Sequence, residues 1–338
     1  MSNVLVTGGA GFIGSHMCLA LLESCHDVIV IDNLSNSCLE PLKRVEKLAQ
    51  KSLIFIECDI RNDQKLRQIF KDHSIDAVIH FAGLKAVGES QRFPLSYFEH
   101  NIAGSISLFK AMEQANVFNI VFSSSATVYG ENNRSPYHEN MPANTPYNNY
   151  AFTKLMTEQM LEKLALADQR WSIALLRYFN PIGAHQSGQI GEDPRGKPYN
   201  LIPHLTQVAI GKREKLSIYG NDYNTPDGTC VRDYIHVVDL ATAHLHALDN
   251  RLKTNGCRTW NIGTGQGHSV LEIKETFEKV NRLDIPFEYA PRRVGDLPAY
   301  FADNERAMRE LKWQPQFQLE DMLKDSWNWQ RQNPMGFK

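Results

Sequence analysis

Residues 1–14 read Met-Ser-Asn-Val-Leu-Val-Thr-Gly-Gly-Ala-Gly-Phe-Ile-Gly. Val4, Leu5 and Val6 form a short apolar run of the kind that is buried on both faces of a parallel sheet. Glycines follow at Gly8, Gly11 and Gly14. Phe12, Ile13, Met17, Leu19 and Leu21 then continue with helical spacing. The stretch predicts strand, glycine turn, helix. Gly8 permits the tight turn, Gly11 lets backbone approach a pyrophosphate, and Gly14 lets helix pack on strand. The N–H groups and dipole at the helix start favour phosphate.

A second apolar run, Val28 to Ile31, ends on Asp32. It follows the glycines by about twenty residues, where a carboxylate binds the adenosine ribose hydroxyls of a dinucleotide. A carboxylate there repels a 2′-phosphate, so the reading is NAD rather than NADP.

Strand and helix patterns continue to alternate down the chain. Strands are expected at Leu53–Ile56, Ala77–His80, Asn119–Phe122 and Ser172–Leu176, with helices over 63–71, 96–115 and 150–167. This alternation implies a Rossmann-type doubly wound parallel sheet with helices on both faces, binding ligand at the carboxyl ends of its strands. Beyond Pro181, Gly, Pro and Asn become frequent, and helices are expected near 201–210, 237–249, 269–280 and 319–331. The expected division is a dinucleotide-binding domain over 1–180 and a smaller α/β substrate lobe over 181–338.

Composition excludes several classes. The chain has 338 residues, 42% of them hydrophobic, and a net charge of −2. No basic stripe points to nucleic acid or an anionic membrane, and no apolar run is long enough to span a bilayer. The glycine motif begins almost at once, so no signal peptide is expected. Six cysteines without a C-x-x-C pair suggest reduced thiols in a cytoplasmic protein. Twelve histidines include no H-E-x-x-H, and no metal site is expected.

The chemistry centres on Tyr150 and Lys154, four apart on one helix face and about 6 Å from each other. Ser123, Ser124 and Ser125 end the neighbouring strand. A free tyrosine has a pKa of about 10, and reaching 7 takes about 4 kcal/mol of preference for the phenolate. One ammonium at about 6 Å in an effective dielectric of about 20 supplies about 3 kcal/mol. A positively charged nicotinamide nearby supplies the remainder. The pair is therefore a candidate general base, with Ser125 hydrogen-bonding the reacting oxygen.

T-G-G-A-G-F-I-G, S-S-S-A-T-V-Y-G, Y-A-F-T-K, L-L-R-Y-F-N-P-I-G-A-H, G-T-C-V-R-D-Y-I-H-V-V-D-L and R-R-V-G-D-L-P-A-Y together resemble the extended short-chain dehydrogenase/reductase family, and in particular its UDP-sugar 4-epimerases. The resemblance runs from residue 3 to about residue 330. It implies tightly bound NAD with no net redox change and Tyr150 as the base for the sugar 4-OH. It also implies a C4 hydride that leaves and returns to the other face of a 4-keto sugar turning within the site. By likeness, Gly8, Gly11, Phe12, Ile13, Gly14, Asp32, Asn33, Asp59, Ile60, Phe81, Ala82, Gly83, Lys85, Ser123, Tyr150, Lys154 and Phe179 hold the cofactor. Lys85, Ser125, Tyr150, Asn180, Asn200, Leu201, Ser217, Tyr219, Arg232, Arg293, Asp296 and Tyr300 hold a UDP-sugar. The arginines suit bidentate contact with diphosphate.

Two positions depart from the family pattern. Phe152 follows the tyrosine where small residues are usual, and it is expected to point off the Tyr–Lys face. His100 stands where some members place an asparagine against the cofactor, so that contact is not carried over. The related nucleotide-sugar 4,6-dehydratases carry Asp-Glu where this chain has Ala126 and Thr127, which argues against dehydration. Tyr300 is the discriminating position. Its bulk implies UDP-glucose and UDP-galactose as substrates, with N-acetylated UDP-sugars, sole or shared, as the alternative. A non-catalytic NAD-binding sensor is a second alternative; such proteins lose the tyrosine or the lysine. The helices over 96–115 and 150–167 resemble those that pair as a four-helix bundle across a homodimer axis.

Overall fold

A computed structural model describes every residue except Thr145, Lys197, Val294 and Lys338. Val294, inside the R-R-V-G-D-L-P-A-Y segment, thus lies outside the described residues. The first half runs β1 (Asn3–Thr7), α1 (Phe12–Glu23), β2 (Asp27–Asp32), α2 (Glu40–Ala49), β3 (Ile54–Glu57), α3 (Asp63–Asp72), β4 (Ala77–His80), α4 (Val87–Arg92), α5 (Pro94–Tyr97), α6 (Gly104–Gln114), β5 (Asn119–Ser125), α7 (Asn149–Ala167) and β6 (Ser172–Tyr178). The second half runs β7 (Asn180–Ile182), α8 (Leu201–Ala209), β8 (Leu216–Tyr219), β9 (Val231–Arg232), β10 (Tyr234–His236), α9 (Val237–Arg251), β11 (Gly256–Ile262), β12 (His268–Ser269), α10 (Val270–Asn281), β13 (Phe287–Ala290), β14 (Ala299–Tyr300), α11 (Glu305–Leu311) and α12 (Leu319–Gln332).

The apolar runs read from the sequence become one sheet of seven strands, in the order β11-β6-β5-β4-β1-β2-β3. Every pairing in it is parallel. Its β1 and β4–β6 are almost wholly buried, as strands covered on both faces must be. On one side Met17 and Leu21 of α1, Leu42 of α2 and Leu240 and Ala247 of α9 close a core over Val4, Val6 and Val30. On the other, Leu66 and Ile69 of α3, Leu108 and Met112 of α6 and Leu161 of α7 close a second core over Leu5, Ile29 and Val78. The order reverses between β1 and β4, and that crevice is where a doubly wound sheet receives its ligand.

Two features differ from the expectation. The chain does not leave the first domain for good at residue 180. β11 returns to pair with β6 in register from Gly256↔Ser172 to Ile262↔Tyr178. α9, expected in the smaller lobe, instead packs on α1 within the first core. The cause is burial: β11 covers the edge of β6, which is apolar on both faces and would otherwise be open. The helix expected over 96–115 starts at Pro94 and passes through a π-helical stretch, Phe98–Ala103, before α6. The wider turn brings the Asn101 side chain to Leu84 and Thr153.

The substrate lobe has its own core, from Ile202 and Leu205 of α8, Leu216 and Ile218 of β8, Phe277 of α10 and Leu323 of α12. Between the lobes Tyr129, Tyr137, Phe179 and Tyr300 form a fourth apolar cluster.

Candidate active site

The glycine turn is built as tightly as its sequence demands. Gly8 has φ +71°, and a Cβ there would lie 2.7 Å from the Ala82 nitrogen. A Cβ on Gly14 would lie 2.3 Å from the Gly8 carbonyl oxygen. Gly11 is the N-cap of α1, and Phe12 and Ile13 open that helix, whose first N–H groups have no partner within it. Backbone without side chains, facing free donors, makes a cradle that fits a pyrophosphate.

Asp32 closes β2 beside the cradle. Its carboxylate accepts from the Ala10 N–H at 3.1 Å, the Leu34 N–H at 2.9 Å and the Ser37 hydroxyl at 2.9 Å. Asn33 donates to Asp59 at 2.8 Å, and the Arg61 guanidinium holds the Asp59 carboxyl well below the usual range. Ile60 is buried behind Asp59. On the other side of the cradle the Ala82 N–H donates to the Thr7 hydroxyl at 3.2 Å, and the Phe81 ring lies 4.9 Å from that of His244. Gly83 abuts the Asn101 amide. Lys85 reaches across the cleft to Glu192 at 3.1 Å.

The three serines that end β5 each receive one turn of α7. Ser125, whose hydroxyl accepts from the Thr127 N–H at 3.3 Å and the Thr127 hydroxyl at 2.9 Å, stands beside the Tyr150 phenol and favours its ionisation. The Ser123 carbonyl accepts from Lys154 Nζ at 2.6 Å. The Ser124 hydroxyl donates to Glu158. Residues 150, 154 and 158 are one helical stripe at a spacing of four, so the strand reads the helix turn by turn. Lys154 Nζ lies 5.9 Å from the Tyr150 ring centroid and 5.0 Å from that of Phe122.

The protonation balance differs from the sequence expectation. Burial pushes the Tyr150 phenol up to about 12, against the Ser125 hydrogen bond that favours its ionisation. Burial also pulls Lys154 down to about 8, against the Glu158 charge. Desolvation outweighs the Lys–Tyr attraction when the protein acts alone. A further positive charge in the cleft would favour the phenolate.

The residues expected on the sugar side stand on β7–β9, α8, β14 and the loop before β14. Asn180 opens β7, its N–H on the Asp233 carbonyl at 3.0 Å. Asn200 precedes Leu201 at the start of α8 and donates to Glu192 at 2.9 Å. Tyr219 ends β8 with the Arg293 guanidinium 3.9 Å over its ring. Ser217, two residues earlier on the same strand, bonds Glu288 at 3.4 Å. Arg232 donates to the Leu297 carbonyl at 2.7 Å and meets Asp296 at 3.2 Å. Tyr300 is buried, its ring 5.1 Å from Phe179 and 4.7 Å from Tyr137, and its hydroxyl has no hydrogen-bond partner among the described residues. An unsatisfied buried hydroxyl at this place fits a sugar hydroxyl.

Residues 4–263 match the NAD dependent epimerase/dehydratase family. The UDP-glucose 4-epimerase of Bacillus subtilis is 53% identical over 335 residues, covering 99% of this chain and 98% of that protein. The chain belongs to the NAD-dependent epimerases, among the UDP-glucose 4-epimerases. The Bifidobacterium longum UDP-glucose 4-epimerase, solved in complex with NAD+ and UDP, superposes with a TM-score of 0.96 at 46% identity, covering 99% of this chain and all of that one. The Stenotrophomonas maltophila enzyme, solved with NAD and formylated UDP-arabinopyranose, gives 0.97 at 48% identity, with 99% of each chain covered. The cofactor is NAD, and the glycine cradle and Asp32 of this epimerase fit it.

Several residues that support these groups carry no sequence motif. Asn101 accepts from the Leu84 N–H at 2.8 Å and donates to the Leu84 carbonyl at 3.0 Å and to Thr153 at 3.0 Å, tying the Gly83–Lys85 loop to α7. Asp233 gathers the Thr264, Gly265 and Ala302 N–H groups under the sugar pocket. His80, pulled down to about 3 by burial and the Lys154 charge, bridges Thr7 and Ser105 as a neutral ring. Tyr147 packs on Gly295 beside Arg232 and Asp296. Only the π-helical stretch had a possible signal, since His100–Asn101 interrupts the helical apolar pattern; the others depend on contacts far apart in sequence.

Proposed function

We propose that this protein interconverts UDP-glucose and UDP-galactose by inverting C4 of the hexose while NAD stays bound. The observation that carries the reading is the docking of Tyr150, Lys154 and Ser125 at the carboxyl end of β5, beside the glycine cradle at the switch point of the sheet. NAD, when bound, takes up and returns the C4 hydride and adds positive charge beside the phenol. Tyr150 removes the 4-OH proton and gives one back, Ser125 holds the reacting oxygen, and Lys154 stabilises the phenolate. Gly8, Gly11, Phe12, Ile13 and Gly14 hold the pyrophosphate, and Asp32 and Asn33 the adenosine ribose. Arg232 and Arg293 grip the UDP diphosphate, and Asn180, Asn200, Leu201, Ser217, Tyr219 and Asp296 hold the rest of the nucleotide.

This division suits the reaction: a firmly held nucleotide leaves the hexose free to turn over between the two hydride transfers. The buried ring of Tyr300 limits the space at C2, which favours glucose and galactose over their N-acetylated analogues. UDP-galactose carrying deuterium at C4 tests the mechanism. The UDP-glucose formed is expected to keep the label, read by NMR. Loss of deuterium to solvent, or release of free NADH, would contradict the assignment.

A cytoplasmic homodimer is part of the same proposal. No described helix is long and apolar enough to cross a membrane. Phe93, Leu95 and Leu166 stand 55%, 79% and 77% exposed, and Phe152 lies 5.8 Å from Phe98, off the Tyr–Lys face. Exposed apolar side chains on the helices over 94–114 and on α7 are what a helix-pairing interface leaves on a single chain. A mass measurement in solution, with twice the chain mass expected, tests it.

A further inference from the structure

The triple-serine end of β5 docks a third α7 residue for which the reaction above has no use. Glu158 lies one turn beyond Lys154, 1% exposed. Its carboxylate accepts from the Ser124 hydroxyl and is clamped by Arg177, with Nε at 2.9 Å and Nη2 at 2.6 Å. Arg177 is 6% exposed and is the register partner of Ser124 on β6. It lies 4.8 Å over the Tyr129 ring, and the Tyr129 hydroxyl donates to Asn261 of β11 at 2.7 Å. Asn261 in turn donates to the Tyr137 carbonyl at 2.7 Å. The pair is thus fixed from three strands and packed against the aromatic cluster beside the sugar pocket.

A buried ion pair is costly to assemble and seldom adds net stability over well-packed apolar residues. Its place here suggests what it is for. Lys154 is a buried cation with Tyr150 and Glu158 on its own helix, the Ser123 carbonyl and Phe122 ring of β5 and neutral His80 of β4 around it. Among these described neighbours Glu158 is the one carboxylate. We propose that Glu158, held by Arg177 and Ser124 one helical turn from Lys154, is a positioning residue that keeps the Lys154 ammonium charged beside Tyr150. This rests on Tyr150 and Lys154 being the catalytic pair.

The sign follows from the geometry. Glu158→Gln removes the nearest negative charge and leaves Arg177 an unpaired cation, and both effects favour loss of the Lys154 proton. Activity requires the protonated lysine, so its alkaline limb moves to lower pH.

The test is the pH profile of kcat and KM for UDP-galactose on the NAD-loaded enzyme. Glu158→Gln is expected to move the alkaline limb down by about one pH unit, and so to cost about tenfold in kcat on that limb, with KM within about twofold. Glu158→Asp, which keeps the charge, is expected to restore most of the limb. Glu158→Leu with Arg177→Met replaces the pair by apolar groups. It is expected to fold and still to shift the limb down, because the carboxylate charge that favours the protonated lysine is gone. If neither Glu158-free variant folds, Ser124→Ala decides, since it removes one donor from the same carboxylate and is expected to give a smaller shift of the same sign. An unchanged limb in a folded variant would overturn the inference. An inactive wild type would instead overturn the epimerase reading itself.

Discussion

The two sides of the cleft are built differently. On the β5–α7 side every chemical group sits on a regular element and most are buried: Ser123, Ser125, Lys154 and Glu158 are at most 8% exposed. On the sugar side Arg293 and Asp296 stand on a loop, and Arg232 on a strand of two residues. The contrast matches the work each side does. Proton transfer needs geometry held to a fraction of an ångström, whereas a hexose must turn over between two productive orientations. The nucleotide grip is assembled from side chains that reach inward across several short elements. On the proposed mechanism, Tyr150 and Lys154 set protonation energetics and the arginines set affinity.

That contrast can be broken by mutation. Tyr150→Phe removes the base without disturbing α7, and kcat is expected to fall by about 100- to 10,000-fold with KM little changed. A fall in affinity instead would erase the distinction between the two sides. Arg232→Ala removes a charged donor from the opposite wall. KM for UDP-galactose is expected to rise by roughly ten- to hundredfold, the equivalent of about 1.5–3 kcal/mol for a hydrogen bond to a charged group, with kcat closer to wild type. Steady-state kinetics on the two variants gives both numbers.

Much of the first side was legible in the sequence. The glycine turn, Asp32, the serine tip and the Tyr150–Lys154 spacing are local patterns, and local patterns survive folding. β11 was not legible as part of the sheet, because its pairing with β6 joins residues about eighty apart and nothing in Gly-Cys-Arg-Thr-Trp-Asn-Ile names a partner. No sequence motif singles out Glu158 or Arg177; the fold places them together. The burial cost on the phenol was not legible for a related reason. The Coulomb attraction of Lys154 can be computed from spacing, but the opposing cost of burial depends on what covers the pair. On the sugar side the residues came only through resemblance, since the short strands that carry them have no periodicity to read.

Tyr300 belongs to both sides and gives the smallest expected effect. Tyr300→Cys opens the space now filled by its ring against Tyr137 and Phe179. A pocket change of this kind is worth about 1–3 kcal/mol. UDP-N-acetylglucosamine turnover is expected to rise by about tenfold, while UDP-galactose turnover is largely kept. No gain with the acetamido sugar would remove Tyr300 as the discriminating residue.

The most direct test is to offer UDP-galactose to the purified protein with no NAD added and to follow UDP-glucose by chromatography, with UDP-N-acetylgalactosamine in parallel. Conversion of UDP-galactose to an equilibrium mixture without added cofactor, and little change in the acetamido sugar, is the predicted result. Absence of any conversion by protein shown to carry bound NAD would contradict it.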